Sequence, residues 1–170
     1  MKGVLRSDYK VVVTEKEAVE ELREHNIGTV VGDKLILFEE EYLYLMYHGK
    51  LEVVDENGKQ YQFEDLMEVL QKRDPKTWFN FLVYYDLRSR GYYVKRGPSR
   101  DIPFRLYEKG DVEGAKYHVV TLVEGEQISV PQIMSILEAI QRADKEAIIA
   151  VVDANGDVTY YEASVVTLER

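Results

Sequence analysis

Residues 132 to 166 leave the chain little conformational choice. Ser129-Val130-Pro131-Gln132 is a helix-start signal, with a hydroxyl to cap and a Gln three residues on. From Gln132 to Ala143, Ile133, Ile136, Leu137 and Ile140 recur at the spacing of one helical face. Ala147 to Val152 is then an unbroken apolar run bounded by turn residues, the pattern of a central strand. Asp153-Ala154-Asn155-Gly156-Asp157 reverses the chain, and Val158 to Val166 returns as the last strand. With strands following it, such a helix is expected to pack its stripe against a sheet, so this half reads as an α/β domain with a central mixed sheet.

Upstream, Asp74-Pro75 marks a boundary, because proline biases the residue before it away from helix and can itself open the next one. The expected domains are therefore residues 1–74 and 75–170. The first reads as α+β. A strand at Val11 to Thr14 leads into a capping box, Thr14-Glu15-Lys16-Glu17, and a helix with Ala18, Val19 and Leu22 on its apolar face. Strands follow at Thr29 to Val31 and Leu35 to Phe38, then a helix from Glu39 to His48. A hairpin pairs Leu51 to Val54 with Tyr61 to Phe63 before a helix from Glu64 to Lys72. The second domain opens with a helix from Lys76 to Arg90, its buried side expected at Trp78, Phe79, Leu82, Tyr85 and Leu87. Strands are expected at Tyr92 to Lys95, Phe104 to Glu108 and Tyr117 to Val123.

Composition narrows the chemistry. The 170 residues include no cysteine, which excludes disulfides and thiolate metal sites, and His25, His48 and His118 lack metal-ligand spacing. No metal or other cofactor is expected, so any reaction would use side chains alone. No apolar run approaches the ~20 residues that span a bilayer, and the charged start does not read as a signal peptide. A cytoplasmic protein without membrane contact is expected. The formal charge of −9 argues against nucleic acid, yet Arg88, Arg90, Lys95, Arg96, Arg100 and Arg105 face only Asp86 and Asp101 within residues 86–106. That segment is either a local contact for an anionic polymer such as RNA or an ordinary basic surface loop.

The second half carries a more specific pattern. Leu82-Val83-Tyr84-Tyr85-Asp86-Leu87-Arg88-Ser89-Arg90-Gly91-Tyr92-Tyr93-Val94-Lys95 precedes Phe104-Arg105-Leu106-Tyr107-Glu108. Then come Ala150-Val151-Val152-Asp153 and Gly156-Asp157-Val158-Thr159-Tyr160-Tyr161. In order and spacing this resembles the archaeal tRNA-splicing endonuclease family. The first half fits it too, in Gly32-Asp33-Lys34-Leu35, Tyr42-Leu43-Tyr44 and Gly49-Lys50-Leu51-Glu52-Val53. The resemblance implies a tRNA-intron endonuclease-like fold. It also implies metal-independent cleavage of precursor tRNA at intron boundaries, leaving a 2′,3′-cyclic phosphate and a 5′-hydroxyl, by a tyrosine, a histidine and a lysine. That set is chemically coherent: attack by the ribose 2′-OH needs a base, the departing 5′-oxygen an acid, and the doubly charged phosphorane a fixed cation.

By the resemblance, Tyr107 occupies the tyrosine position and Lys145 the lysine position. Their bland alternatives are a half-buried strand tyrosine and a plain helix cap. The histidine position falls on Gly114. His118, four residues on, alternates with Val120 and Leu122 and reads as a core or interface residue, unless a register shift brings it to the site. A second departure is Glu138, about two helical turns before Lys145, where the family usually bears an RNA-contacting arginine. These departures favour a structural, non-catalytic subunit that joins a catalytic endonuclease subunit in an (αβ)₂ assembly on precursor tRNA. The alternatives are a self-sufficient homo-oligomeric nuclease and a non-catalytic RNA-binding module. The family further implies two subunit contacts. One is the last strand with Tyr160, Tyr161, Val165 and Val166, pairing across a two-fold axis. The other is the acidic turn with Asp153 and Asp157, entering a partner's basic cleft.

Overall fold

The computed structural model describes residues 1–169. The chain divides into two compact units, Met1–Phe81 and a second that begins at Leu82.

The first unit is built on a six-stranded sheet. Its strands are β1 (Lys2–Leu5), β2 (Val11–Val13), β3 (Thr29–Val31), β4 (Lys34–Leu37), β5 (Glu52–Asp55) and β6 (Gln60–Tyr61), in the order β3-β4-β2-β1-β5-β6. Only β1 and β5 run parallel; the other neighbours are antiparallel. Strand β1 was not expected from sequence, because Lys2 and Gly3 blur the alternation that its buried residues, Gly3 and Leu5, supply. Helices α1 (Lys16–Glu24), α2 (Glu39–Tyr47) and α3 (Phe63–Arg73) bury Ala18, Val19 and Leu22, then Tyr42, Leu43 and Leu45, then Leu66, Met67 and Leu70. Helix α1 starts from Glu15 rather than from a Thr14 capping box, with no side-chain cap; the Glu15 carboxylate instead accepts the Lys2 N–H at 3.1 Å. The fully buried Glu41 carboxylate accepts the backbone N–H groups of Gly28 and Phe38 at 2.6 and 3.0 Å, which offsets its desolvation.

Helix α4 (Thr77–Ser89) is apolar nearly all round, which made its buried side hard to read. Phe81, Val83, Tyr84 and Leu87 are buried, while Trp78, Phe79, Leu82 and Tyr85 are only half-buried. The second unit holds a five-stranded sheet of β7 (Val94–Ser99), β8 (Ile102–Leu106), β9 (Tyr117–Val123), β10 (Glu146–Val152) and β11 (Val158–Ala163), in the order β11-β10-β9-β8-β7. Strands β9 and β10 are parallel, joined through helix α5 (Val130–Arg142), and all other pairs are antiparallel. The sheet is therefore mixed. Helix α5 begins at Ser129, whose hydroxyl accepts the Gln132 N–H at 3.2 Å. It packs Ile136 and Ile140 on Ile102, Val120 and Ala147, with Leu122, Ile128 and Leu137 at the rim.

The β7–β8 hairpin is longer and tighter than the two short strands expected. A register shift lies between Arg96 and Ser99, and Gly97 sits there against the facing strand. A Cβ on Gly97 would lie 1.8 Å from the Ile102 carbonyl oxygen, so only glycine fits.

Candidate active site

Tyr107 and Lys145 come to one end of the five-stranded sheet because β8 finishes where β9 and β10 begin. Tyr107 follows β8 directly and stays tied to the sheet, its N–H donating to the Tyr93 carbonyl at 3.1 Å. Its side chain is half-buried. Lys145 enters β10 from the end of α5. Asp144 takes a left-handed conformation (φ 58°), and the Lys145 N–H returns to the Ile140 carbonyl at 3.2 Å, closing the helix. The side chain does not cap that helix. Its ammonium donates to the Ala115 carbonyl at 2.7 Å, across to the loop that precedes β9.

Ala115 is the neighbour of Gly114, so the lysine is anchored one residue from the place where the resemblance puts a histidine. Gly114 is exposed, its φ lies outside the left-handed region, and a Cβ there would meet nothing within 4 Å. Neither backbone geometry nor packing requires glycine at this position. A side chain could stand there, and none does.

His118 lies inside the sheet. It pairs with Arg105 on β8 and with Ala147 on β10, so all three belong to one row and one face. It is 4% exposed, and its Nδ1 has no hydrogen-bond partner. Burial holds its pKa below the usual 6.5, and the positive charges of Arg105 and Lys145 push the same way. No hydrogen bond joins the His118 ring to Tyr107 or Lys145.

The basic residues divide between two places. Arg88 and Arg90 lie at the end of α4, Arg88 with its guanidinium 5.5 Å from the Tyr93 ring centre. Arg90 is ion-paired with Asp86 at 2.8 Å, which raises its already high pKa. Lys95, Arg96, Arg100 and Arg105 belong to the β7–β8 hairpin. There Arg96 Nη1 donates to the Pro103 carbonyl at 3.3 Å, and Arg105 Nη1 donates to the Arg96 carbonyl at 2.6 Å. Lys95 stands opposite Arg105, extending the His118 row, and Arg100 is exposed at the hairpin tip. Glu138 is exposed on α5.

At the other end of the sheet, Asp153 organises its turn by accepting the N–H groups of Asn155 and Asp157 at 2.8 and 3.0 Å. Glu124, from the loop after β9, holds the same turn through the Ala154 N–H at 3.0 Å. Strand β11 has β10 on one side and no strand on the other among the described residues. Tyr160 turns inward and donates its hydroxyl to Asp86 at 2.6 Å; burial and that carboxylate raise its pKa strongly. Tyr161 is exposed, as are Val165 and Val166 beyond the strand. The Asp86–Tyr160 bond joins residues 74 apart, and nothing local in the sequence announces it. The Arg105–His118 pairing could have been read by extending the strand alternation across both strands.

Among the described residues, no group of three or more histidine, aspartate or glutamate side chains is placed to hold a metal ion. Among them, too, no helix is long and apolar enough to cross a membrane.

Residues 77–160 match the family model of the tRNA intron endonuclease catalytic C-terminal domain, and residues 1–67 that of its N-terminal domain. The chain belongs to the tRNA intron endonuclease family. It is 34% identical over 157 residues to the tRNA-splicing endonuclease of Methanococcus maripaludis, covering 91% of this chain and 89% of that protein. It is 37% identical over 135 residues to the tRNA-splicing endonuclease of Thermococcus onnurineus, covering 79% and 78% of the two chains. A third tRNA-splicing endonuclease, from Methanosarcina acetivorans, is 35% identical over 166 residues, which are 95% of this chain but 46% of that longer protein. Both halves of the chain thus fall within the family.

Proposed function

We propose that this chain is a structural subunit of a tRNA-splicing endonuclease, supporting a catalytic subunit in an (αβ)₂ assembly that cuts precursor tRNA at intron boundaries. The products would carry 2′,3′-cyclic phosphate and 5′-hydroxyl ends. The observation that carries the reading is Gly114: the position beside the anchored lysine has room for a side chain and no geometric need for glycine, yet supplies no proton donor. Losing a general acid costs about 10²–10⁴ in rate, so a chain without one is a poor enzyme on its own. His118 does not replace it. Its ring is buried, it is held toward the neutral form, and it makes no hydrogen bond to Tyr107 or Lys145. The exposed edge of β11 with Tyr161, the segment with Val165 and Val166 just beyond that strand, and the acidic turn of Asp153 and Asp157 are the surfaces that would meet partner subunits. The hairpin cations Lys95, Arg96, Arg100 and Arg105 are the candidates for contact with the RNA backbone.

The test uses the purified chain, a candidate catalytic subunit, and a precursor tRNA with a bulge-helix-bulge. The chain alone should not cut, and the mixture should cut while eluting as one complex. A second reading, a self-sufficient homo-oligomeric nuclease, draws on Tyr107 and Lys145 reaching the same end of the sheet. Robust cutting by the lone chain, abolished in His118→Ala, would establish that reading instead.

A further inference from the structure

We infer that Glu124 is a positioning residue that holds the turn of residues 153–157 in one preformed shape, leaving Asp157 as the carboxylate presented to a partner's Lys or Arg side chains. The inference rests on the proposed function only for what the turn meets.

The turn can be accounted for bond by bond. It carries five backbone N–H groups, and each has an acceptor inside the chain. The Asp153 N–H donates to the Asp157 carbonyl at 2.9 Å, and the Gly156 N–H to the Asp153 carbonyl at 3.0 Å. The N–H groups of Asn155 and Asp157 both donate to Asp153 Oδ1, at 2.8 and 3.0 Å. Those four bonds close within the turn itself. The fifth donor, the Ala154 N–H, goes to Glu124 Oε2 at 3.0 Å. Among the described residues, this is the only hydrogen bond that ties residues 153–157 to another segment. Without it, the turn rests on itself and on the two strands it joins.

Glu124 is fixed before its side chain begins. Its N–H donates to the Val152 carbonyl at 2.8 Å, one step beyond the last β9–β10 register pair, Val123 with Val152. The chain then turns sharply: Gly125 takes a φ of 86°, and the Glu126 N–H returns to the Val123 carbonyl at 3.0 Å. The Glu124 side chain therefore starts at the strand end from which the turn departs, and no cation of the described residues pairs with it.

The same bonds divide the charges. Asp153 is half-buried and turns one oxygen to two N–H groups, while Glu124 gives one oxygen to a third. Asp157 is exposed, and its carboxylate makes no hydrogen bond or ion pair with the described residues. With no backbone donor left over, the backbone of the turn offers acceptors alone, which suits cationic side chains. A loop ordered before contact loses less conformational freedom on binding, so Glu124 strengthens association without touching the partner.

Glu124→Gln keeps an oxygen for the Ala154 N–H and loses the charge, whereas Glu124→Ala loses both. Residue 124 is exposed, so both variants should fold. In the lone, full chain, ¹⁵N relaxation at residues 154–156 should show a rigid turn in the wild type and in Glu124→Gln. In Glu124→Ala the order parameters should fall from about 0.85 toward about 0.6. Association with the candidate catalytic subunit is then measured by titration. Glu124→Gln should bind within about twofold of the wild type and Glu124→Ala about tenfold more weakly, while Asp157→Asn should weaken binding and leave the turn rigid. Unchanged relaxation in Glu124→Ala overturns the inference, and so do equal binding losses in the Gln and Ala variants, which would assign Glu124 a role through its charge. If the wild type binds no catalytic subunit, the functional reading fails, and the relaxation comparison still decides whether Glu124 holds the turn.

Discussion

Gly114→His turns the central structural argument into a gain of function. A Cβ at residue 114 meets nothing within 4 Å and the backbone is outside the left-handed region, so the substitution should change stability by no more than about 0.5 kcal/mol. The new imidazole would rise one residue from the carbonyl that anchors the Lys145 ammonium. A positioned general acid contributes about 10²–10⁴ in rate, equivalent to roughly 3–5 kcal/mol of transition-state stabilisation. The assay is cleavage of a precursor tRNA by the complex with a partner whose own catalytic lysine has been removed, so that only this chain's site can cut. Wild-type chain should give background, Gly114→His should raise the rate by at least about a hundredfold, and adding Lys145→Gln should cancel the gain. A urea midpoint for each variant confirms the fold. If Gly114→His is folded and assembled yet stays at background, the missing donor is not what separates this site from an active one.

His118 should make the second unit acid-sensitive. Its folded pKa lies below the unfolded value of 6.5, so the unfolded state takes up the proton first. Stability should be full above about pH 6.5 and fall at lower pH by up to about 1.4 kcal/mol per unit, and urea unfolding from pH 7.5 to 5 should show a flatter profile in His118→Leu. Tyr160→Phe removes the hydroxyl that donates to Asp86 at 2.6 Å and should cost about 1 kcal/mol, since Arg90 still pairs with that carboxylate; the urea midpoint reports it. Gly97→Ala drives a methyl into the Ile102 carbonyl and should cost about 3 kcal/mol, visible as a lowered melting temperature, whereas Gly114→Ala should be near neutral.

What could be read in advance follows physical scale. Periodicity is local, so α5, β9, β10 and β11 were legible from apolar spacing and one turn signal, and Ser129 caps its helix as the Ser-x-x-Gln pattern implies. Strand β1 escaped because four residues that include Gly3 carry too little alternation to register. The buried side of α4 was misread because apolar residues surround the helix, and only its tertiary neighbours choose among them. At the site, Tyr107, Gly114 and Lys145 could be named from the resemblance, but the reach of Lys145 to Ala115 spans 30 residues and depends on where α5 stops. The role of Arg90 was equally hidden. It belonged to a basic segment on paper, and in the fold it is claimed by Asp86.

The sheet row of Arg105, His118 and Ala147 shows why a missing proton donor need not mean missing cations around it. A general acid is a single side chain at a single position, and glycine at residue 114 removes it without disturbing anything around it. The cations are bound differently into the fold: Lys145 fixes the loop before β9 to the end of α5, and Arg105 braces the β7–β8 hairpin through the Arg96 carbonyl. Replacing either one breaks a structural hydrogen bond as well as removing a charge. The proton donor at residue 114 can therefore be absent at no cost to the fold, whereas replacing Arg105 or Lys145 would cost stability. The two cations should therefore persist where the donor does not, and both act on the buried His118 ring, lowering its pKa together with burial.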